Sequence, residues 1–210
     1  LMICSEAGDV FHAWQCPNTD LRVSFLEFLS QKARLLLNVL PLGDFDRAEF
    51  LGESSRLVAQ ISDGRGIVLR TSTGGKSEEE RGTRISANKA PSPERKEEVQ
   101  TWFQNHLEVP GLLAATLQFS DRSGSTHSIS SKFAPDSLEN LKRCVTDGFQ
   151  VLRLQRFAAR RARWLYHDTA IECTRWDDGT TVAFVLSRQS LDLNGRLIEG
   201  LVENFFAAEN

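Results

Sequence analysis

Phe50-Leu51-Gly52-Glu53-Ser54-Ser55-Arg56-Leu57-Val58-Ala59 leads through Asp63-Gly64 into Gly66-Ile67-Val68-Leu69. About 115 residues later, Trp164-Leu165-Tyr166-His167-Asp168-Thr169-Ala170-Ile171-Glu172-Cys173 leads through Asp177-Asp178-Gly179 into Thr181-Val182-Ala183-Phe184. Aligned without a gap, Leu57 falls on Ile171 and Asp63 on Asp177. Upstream, Ser5-Glu6-Ala7-Gly8 answers Asp121-Arg122-Ser123-Gly124 at a strand-to-strand turn. A period this long exceeds that of a solenoid repeat and marks a duplicated small domain. Duplication predicts an intrachain pseudo-dimer, and with it a protein that works by binding other proteins.

The repeat divides the 210 residues into a first domain over 1–73, a flexible linker over 74–93 and a second domain over 94–210. Domains this small bury modest cores, so each gains from packing against its neighbour. The linker is assigned from Gly74-Gly75-Lys76-Ser77-Glu78-Glu79-Glu80-Arg81-Gly82, a mixed-charge stretch with too little apolar surface to offset ordering. A net charge of −3 makes no electrostatic case for nucleic acid. No apolar run reaches the roughly 20 residues of a membrane span, and no signal-peptide pattern opens the chain. Cys4, Cys16, Cys144 and Cys173 have no paired metal-ligand spacing, which predicts reduced thiols and a cytoplasmic location.

Two apolar stretches flank Glu6-Ala7-Gly8-Asp9 and predict a hairpin of Leu1–Ser5 with Val10–Trp14. Pro17-Asn18-Thr19-Asp20 offers caps for a helix from Leu21 to Leu40 that is apolar around more than one face. Such a helix must bury one side on its sheet and another on a second element. Strands follow at Ala48–Gly52, Arg56–Ser62 and Gly66–Thr71. In the second repeat, Ser92-Pro93-Glu94 starts a helix that ends near His106. Strands at Leu112–Ser120 and Ser125–Ser131, a helix capped by Asp136-Ser137 and running to Leu152, and strands at Arg161–Tyr166, Ala170–Trp176 and Thr181–Ser187 complete it. Val182-Ala183-Phe184-Val185-Leu186 is apolar at every position and predicts cover on both faces. A last helix carries Leu197, Ile198, Leu201, Val202, Phe205 and Phe206 on one face. The first repeat begins at its first strand, and a truncated N-terminus would account for its missing leading helix.

Glu108-Val109-Pro110-Gly111-Leu112-Leu113 leads into the hairpin at Ser120-Asp121-Arg122-Ser123-Gly124, then a capped helix and a three-strand meander. This order of elements resembles the roadblock family, the dynein light chain roadblock type, in two tandem copies. The first copy matches from Leu1-Met2-Ile3-Cys4 through Thr71. The resemblance implies an α/β fold, an α+β sandwich. Each domain would be a five-stranded antiparallel sheet with a long helix on one face and terminal helices on the other. It also implies pairing of domains through the long helix and adjoining strand into one sheet. The implied function is a non-catalytic scaffold that regulates or adapts a Ras-like GTPase or a motor or polarity complex. A secretion-chaperone-like adaptor and a small-molecule sensory domain are the alternatives, and homodimerisation of the chain stays open.

Candidate interface residues are Phe28, Leu35 and Leu36 on the first long helix, Leu141 and Val145 on the second, and Phe50, Leu51, Trp164 and Tyr166 on the strands. Arg156, Arg160 and Arg161, with Arg153 and Arg163 beside them, form a basic concentration suited to an acidic partner. Gly75-Lys76-Ser77 lacks the first glycine of a phosphate loop and precedes three glutamates. His12, His106, His127 and His167 have no second ligand at helical spacing and no adjacent nucleophile. No cofactor, metal or catalytic residue is assigned.

Overall fold

The computed structural model describes residues 1–5, 8–16, 18–52, 54–62, 64–72, 91–190 and Gly200. Alternating apolar residues give the first half five strands, β1 (Met2–Ser5), β2 (Val10–Ala13), β3 (Phe45–Leu51), β4 (Ser55–Ser62) and β5 (Arg65–Ser72). Helix α1 (Thr19–Val39) lies between β2 and β3. The second half contains α2 (Pro93–Asn105), β6 (Leu112–Gln118), β7 (Gly124–Ser128), α3 (Pro135–Leu154), β8 (Arg161–Tyr166), β9 (Thr169–Arg175) and β10 (Thr181–Ser187). All ten strands join one sheet in the order β2-β1-β5-β4-β3-β8-β9-β10-β6-β7. Read outward from the β3–β8 seam, the order is the same on both sides. The halves are therefore related by an approximate two-fold between β3 and β8.

The ladders fix the correspondence between halves. Phe50 opposes Leu57 as Trp164 opposes Ile171, so the strands flanking the seam align without a gap. Beyond them the second half carries one extra residue in its β9–β10 turn. Val68 faces Ala59 where Ala183, not Val182, faces Cys173. The first hairpins align differently from their glycines. Gly8 donates to the Ser5 carbonyl as Arg122 donates to that of Phe119, and both donors are left-handed, at φ 92° and 70°. Gly8 thus corresponds to Arg122 and not to Gly124, because hydrogen bonding rather than residue type sets the turn.

The sheet separates two cores. On one face, α1 and α3 cover a continuous cluster from Met2 and Cys4 through Phe50 and Trp164 to Cys173 and Val185. Phe25 packs edge-on to Phe50 at 5.7 Å, and Phe45 of β3 reaches across the seam to Trp164 and Tyr166 of β8 at 6.4 and 5.4 Å. On the other face, Val99 and Phe103 of α2 close over Leu117, Val182 and Phe184. Strand β10 contributes Ala183 and Val185 to the first core and Val182, Phe184 and Leu186 to the second. Its unbroken apolar run reflects cover on both faces.

The helix ends depart from their sequence-based caps. Asn18 precedes α1 in a left-handed conformation and makes no side-chain cap. Asp136 and Ser137 lie within α3, which starts at Pro135 behind Ala134. Proline at the first position needs no donor partner, so the helix begins a residue or two early. Ser92 caps α2 as a cap should, accepting from the Arg95 N–H at 3.2 Å. Most of the expected linker, the phosphate-loop-like Gly75-Lys76-Ser77, Asp63 and the expected helix through Leu197–Phe206 lie outside the described residues.

The α1–β3 connection is stapled to the β8–β9 turn of the other half. His167 N–H donates to the Asp44 carbonyl at 2.7 Å, and Thr169 Oγ1 donates to that of Leu42 at 3.0 Å. Gly43 sits at φ +77°, and a Cβ there would lie 2.7 Å from Asp168 Oδ2 and 2.9 Å from its backbone nitrogen. Gly43→Ala is expected to cost about 1–3 kcal/mol through strain at this φ and the displaced turn. Urea denaturation checks it: an unchanged midpoint would contradict the staple.

Candidate functional site: the seam and the outer face of the sheet

Strands β3 and β8 pair with Ala48 opposite Trp164, Glu49 opposite Arg163, and Phe50 opposite Ala162. Glu49 and Arg163 are themselves equivalent positions, so the approximate two-fold passes through this pair. In a symmetric pair of identical strands one charge would meet itself there. Here the two copies carry opposite charges.

The alternation that sends Ala48 and Phe50 toward α1 sends Glu49 and Arg163 to the opposite, outer face. Glu49 is 5 % exposed and Glu172 of β9 only 3 %. Arg47 Nε donates to Glu49 Oε1 at 2.8 Å and Arg56 Nη2 to Oε2 at 2.7 Å. Arg163 bonds Glu172 through its Nε. Burial opposes the charge on Glu49, but Arg47 and Arg56 hold its carboxyl below the usual range. Burial pushes the Glu172 carboxyl up against the pull of Arg163 and Arg161.

On the helix layer, α1 and α3 run antiparallel. Arg22 donates to Gln155 Oε1 at 2.9 Å, Gln155 Nε2 to the Leu21 carbonyl at 2.5 Å, and Lys32 to Asp147 at 2.5 Å. Leu36, Leu141 and Val145 are buried in the shared core together with Phe50, Trp164 and Tyr166. Phe28 is half-buried with Lys32 over its ring, and Leu51 is half-buried opposite Arg161. Leu35 is 41 % exposed and Leu21 49 %, so the second apolar side of α1 is only partly covered.

The arginines differ in their partners. Arg156 is exposed at φ 54° just after α3, and Arg160 bonds Asp177 at 2.9 Å. Arg161 and Arg163 belong to the seam. Among the described residues no group of His, Cys, Asp or Glu could hold a metal ion. His167 bonds its neighbour Asp168 in a turn, and His106 bonds the Trp102 carbonyl.

The outer face differs between the halves. In the second, α2 packs on Leu117, Val182 and Phe184, with Glu172 opposite Phe184 on the same face, and it is clamped to the β6–β7 hairpin. Lys96 bonds Asp121, Gln100 bonds Ser125 Oγ at 2.8 Å, and Arg95 stacks over Trp176 at 4.7 Å. The ladders place Ile3, Val58, Ile67 and Leu69 at the same four positions of the first half. There Ile67 is 37 % and Leu69 41 % exposed. No signal in either half alone reveals this contrast, because it is a difference of cover and not of strand pattern.

The α2 clamp carries a pH signature. Lys96, then the Ser123 bonds, lower the Asp121 carboxyl from 3.8 to about 2. A lowered acid stabilises the fold above its unfolded value and loses that contribution as pH falls through the folded one. The clamp is therefore expected to be intact above pH 3.8 and lost near pH 2. A carboxyl NMR titration checks this, and a midpoint near 3.8 would contradict it.

No family model and no curated protein matches the sequence. Among the described residues no helix is long and apolar enough to cross a membrane.

Proposed function

We propose that this chain is a non-catalytic protein-binding scaffold of two roadblock-like domains joined as an intrachain pseudo-dimer. The observation carrying this reading is the outer face of the first half. There Ile67 and Leu69 are exposed, with half-buried Ile3 and Val58 beside them, where α2 packs on their counterparts Val182 and Phe184 in the second half. Exposed apolar residues grouped in this way mark interaction sites. Arg65, exposed at one end of the same patch, favours a partner with an acidic group beside an apolar centre. The resemblance of the element order to the roadblock family makes the partner a Ras-like GTPase or a complex that controls one.

The test immobilises the chain and its Leu69→Arg variant in lysate of its own cells, with GDP or a non-hydrolysable GTP analogue added. A Ras-like GTPase enriched in one nucleotide state by the parent and lost by the variant supports the reading. Retention of only secretion effectors, or equal retention by both proteins, removes it.

A second reading rests on a cavity of about 570 Å³ between α1 and the β1–β5 edge, lined by Cys4, Val23, Leu26, Ser30, Arg34 and Ile61. Its size and mixed lining suit a small ligand. A metabolite that raises the melting temperature of the parent, but not of a Ser30→Trp variant, would favour a sensory role.

A further inference from the structure

The two halves place different chemistry at equivalent positions of their outer faces. In the second half Arg95, Val99 and Phe103 follow one another at four-residue spacing along one side of α2. Val99 and Phe103 pack with Val182 and Phe184, and Arg95 lies over Trp176, which fills the end of that face. In the first half the counterparts of Val182 and Phe184 are Ile67 and Leu69. Trp176 N–H donates to the Thr180 carbonyl at 2.8 Å where, in the first half, Ser62 pairs with Arg65. Ser62 therefore stands for Trp176, and Arg65 for Thr180.

A serine in place of an indole leaves a hollow. A cavity of about 320 Å³ opens there beside Gln60, Ser62, Arg65 and Ile67. The charge is inverted as well. In the second half the helix brings the cation and the sheet brings the ring. In the first half the sheet itself carries the cation, since Arg65 is exposed and bonds no side chain among the described residues. A helix with arginine at the place of Arg95 would set like charges together. An acid at that place would meet Arg65 and complement the positive end of its own helix. Neither 73–90 nor 191–210 holds an acid followed by large apolar residues four and eight places on, so the chain does not supply this pattern from those segments.

We propose that the outer face of the first half binds an amphipathic helix of another protein. That helix carries an acidic residue in its first turn, set against Arg65, and apolar residues four and eight positions later, set on Ile67 and Leu69. The apolar pair anchors it as in other helix-in-groove contacts. The acid fixes which way the helix runs along the sheet. This deepens the scaffold reading and rests on the same face being the binding surface.

The sequence of α2 supplies the probe. A labelled peptide of residues 92–106 with Arg95→Glu is held helical by an amide link between Glu97 and Thr101→Lys, two positions exposed on α2. Fluorescence anisotropy is expected to show saturable binding to the full chain, at least about tenfold tighter than for the same peptide keeping Arg95. Arg65→Glu in the chain is expected to reverse that preference, and Leu69→Arg to abolish binding. Arg65 and Leu69 are both exposed, and unchanged circular dichroism and melting would show the variants folded. No saturable binding, a preference that Arg65→Glu leaves unreversed, or binding that survives Leu69→Arg would each overturn the proposal. A Ras-like GTPase retained from lysate alongside a peptide that does not bind would overturn the helical mode alone. Peptide binding without that GTPase would uphold the helix and remove only the GTPase as its source.

Discussion

Arg163→Ala is expected to destabilise the chain by about 3–5 kcal/mol, because it leaves a carboxylate buried without its partner. Glu172 is almost wholly enclosed and bonded by Arg163, while Arg47 and Arg56 are committed to Glu49 on the next strand but one. Arg161 also pulls on Glu172 through space, but Arg163 supplies its hydrogen bond. Removing both charges in Arg163→Met/Glu172→Leu is expected to recover most of the loss, since a buried ion pair is often matched by well-packed apolar residues.

The single variant also has a pH signature. Burial already raises the Glu172 carboxyl, and loss of Arg163 raises it further. A carboxyl raised by folding loses stability as pH rises from its unfolded value toward its folded one. The deficit of Arg163→Ala relative to the parent should therefore be smallest in acid and grow toward neutrality. Urea denaturation from pH 4 to 7 (about the interval over which a raised carboxyl ionises) measures it. A deficit independent of pH would assign the loss to packing and not to the uncompensated charge.

Trp164→Ala is expected to cost a similar amount, about 3–5 kcal/mol, through the cavity left in the core. Trp164 is 2 % exposed, packs against Phe45 from the other half, and lies beneath Gly148 of α3. For a chain of this size each kcal/mol lowers the melting temperature by roughly 2–4 °C. The form of the transition matters as much as its midpoint. Because one apolar cluster runs beneath both α1 and α3, the two halves should lose structure together. Calorimetry and tryptophan fluorescence are expected to report one coincident transition. A first half that survives the melting of the second would show that the cluster does not couple them.

These two residues show how far the sequence could be read. Trp164 was legible as an aromatic on an apolar strand, and as the counterpart of Phe50 in the repeat. Its neighbours were not, because Phe45 and Ala48 come from the other half. Arg163 read as one member of a basic run, whereas its surroundings make it the internal partner of Glu172 and the counterpart of Glu49. Leu35 shows the opposite error. It belongs to the broad apolar surface of α1, yet α3 approaches along the line of Arg22 and Lys32 and leaves it exposed.

By itself the sequence determined the duplication, the mixed α and β composition, the order of elements and the two-sided burial of β10. Each of these is written in local periodicity: alternation marks a strand, helical spacing marks a helix, and an unbroken apolar run marks cover on both faces. The joining of the halves into one sheet was an expectation of the resemblance. Tertiary structure alone decided that Glu49 meets Arg163 on the approximate axis, and that α2 covers one outer face while Ile67 and Leu69 are exposed on its equivalent. Periodicity records which side of an element avoids water. It does not record what comes to cover that side, which is set by contacts between residues far apart in the chain.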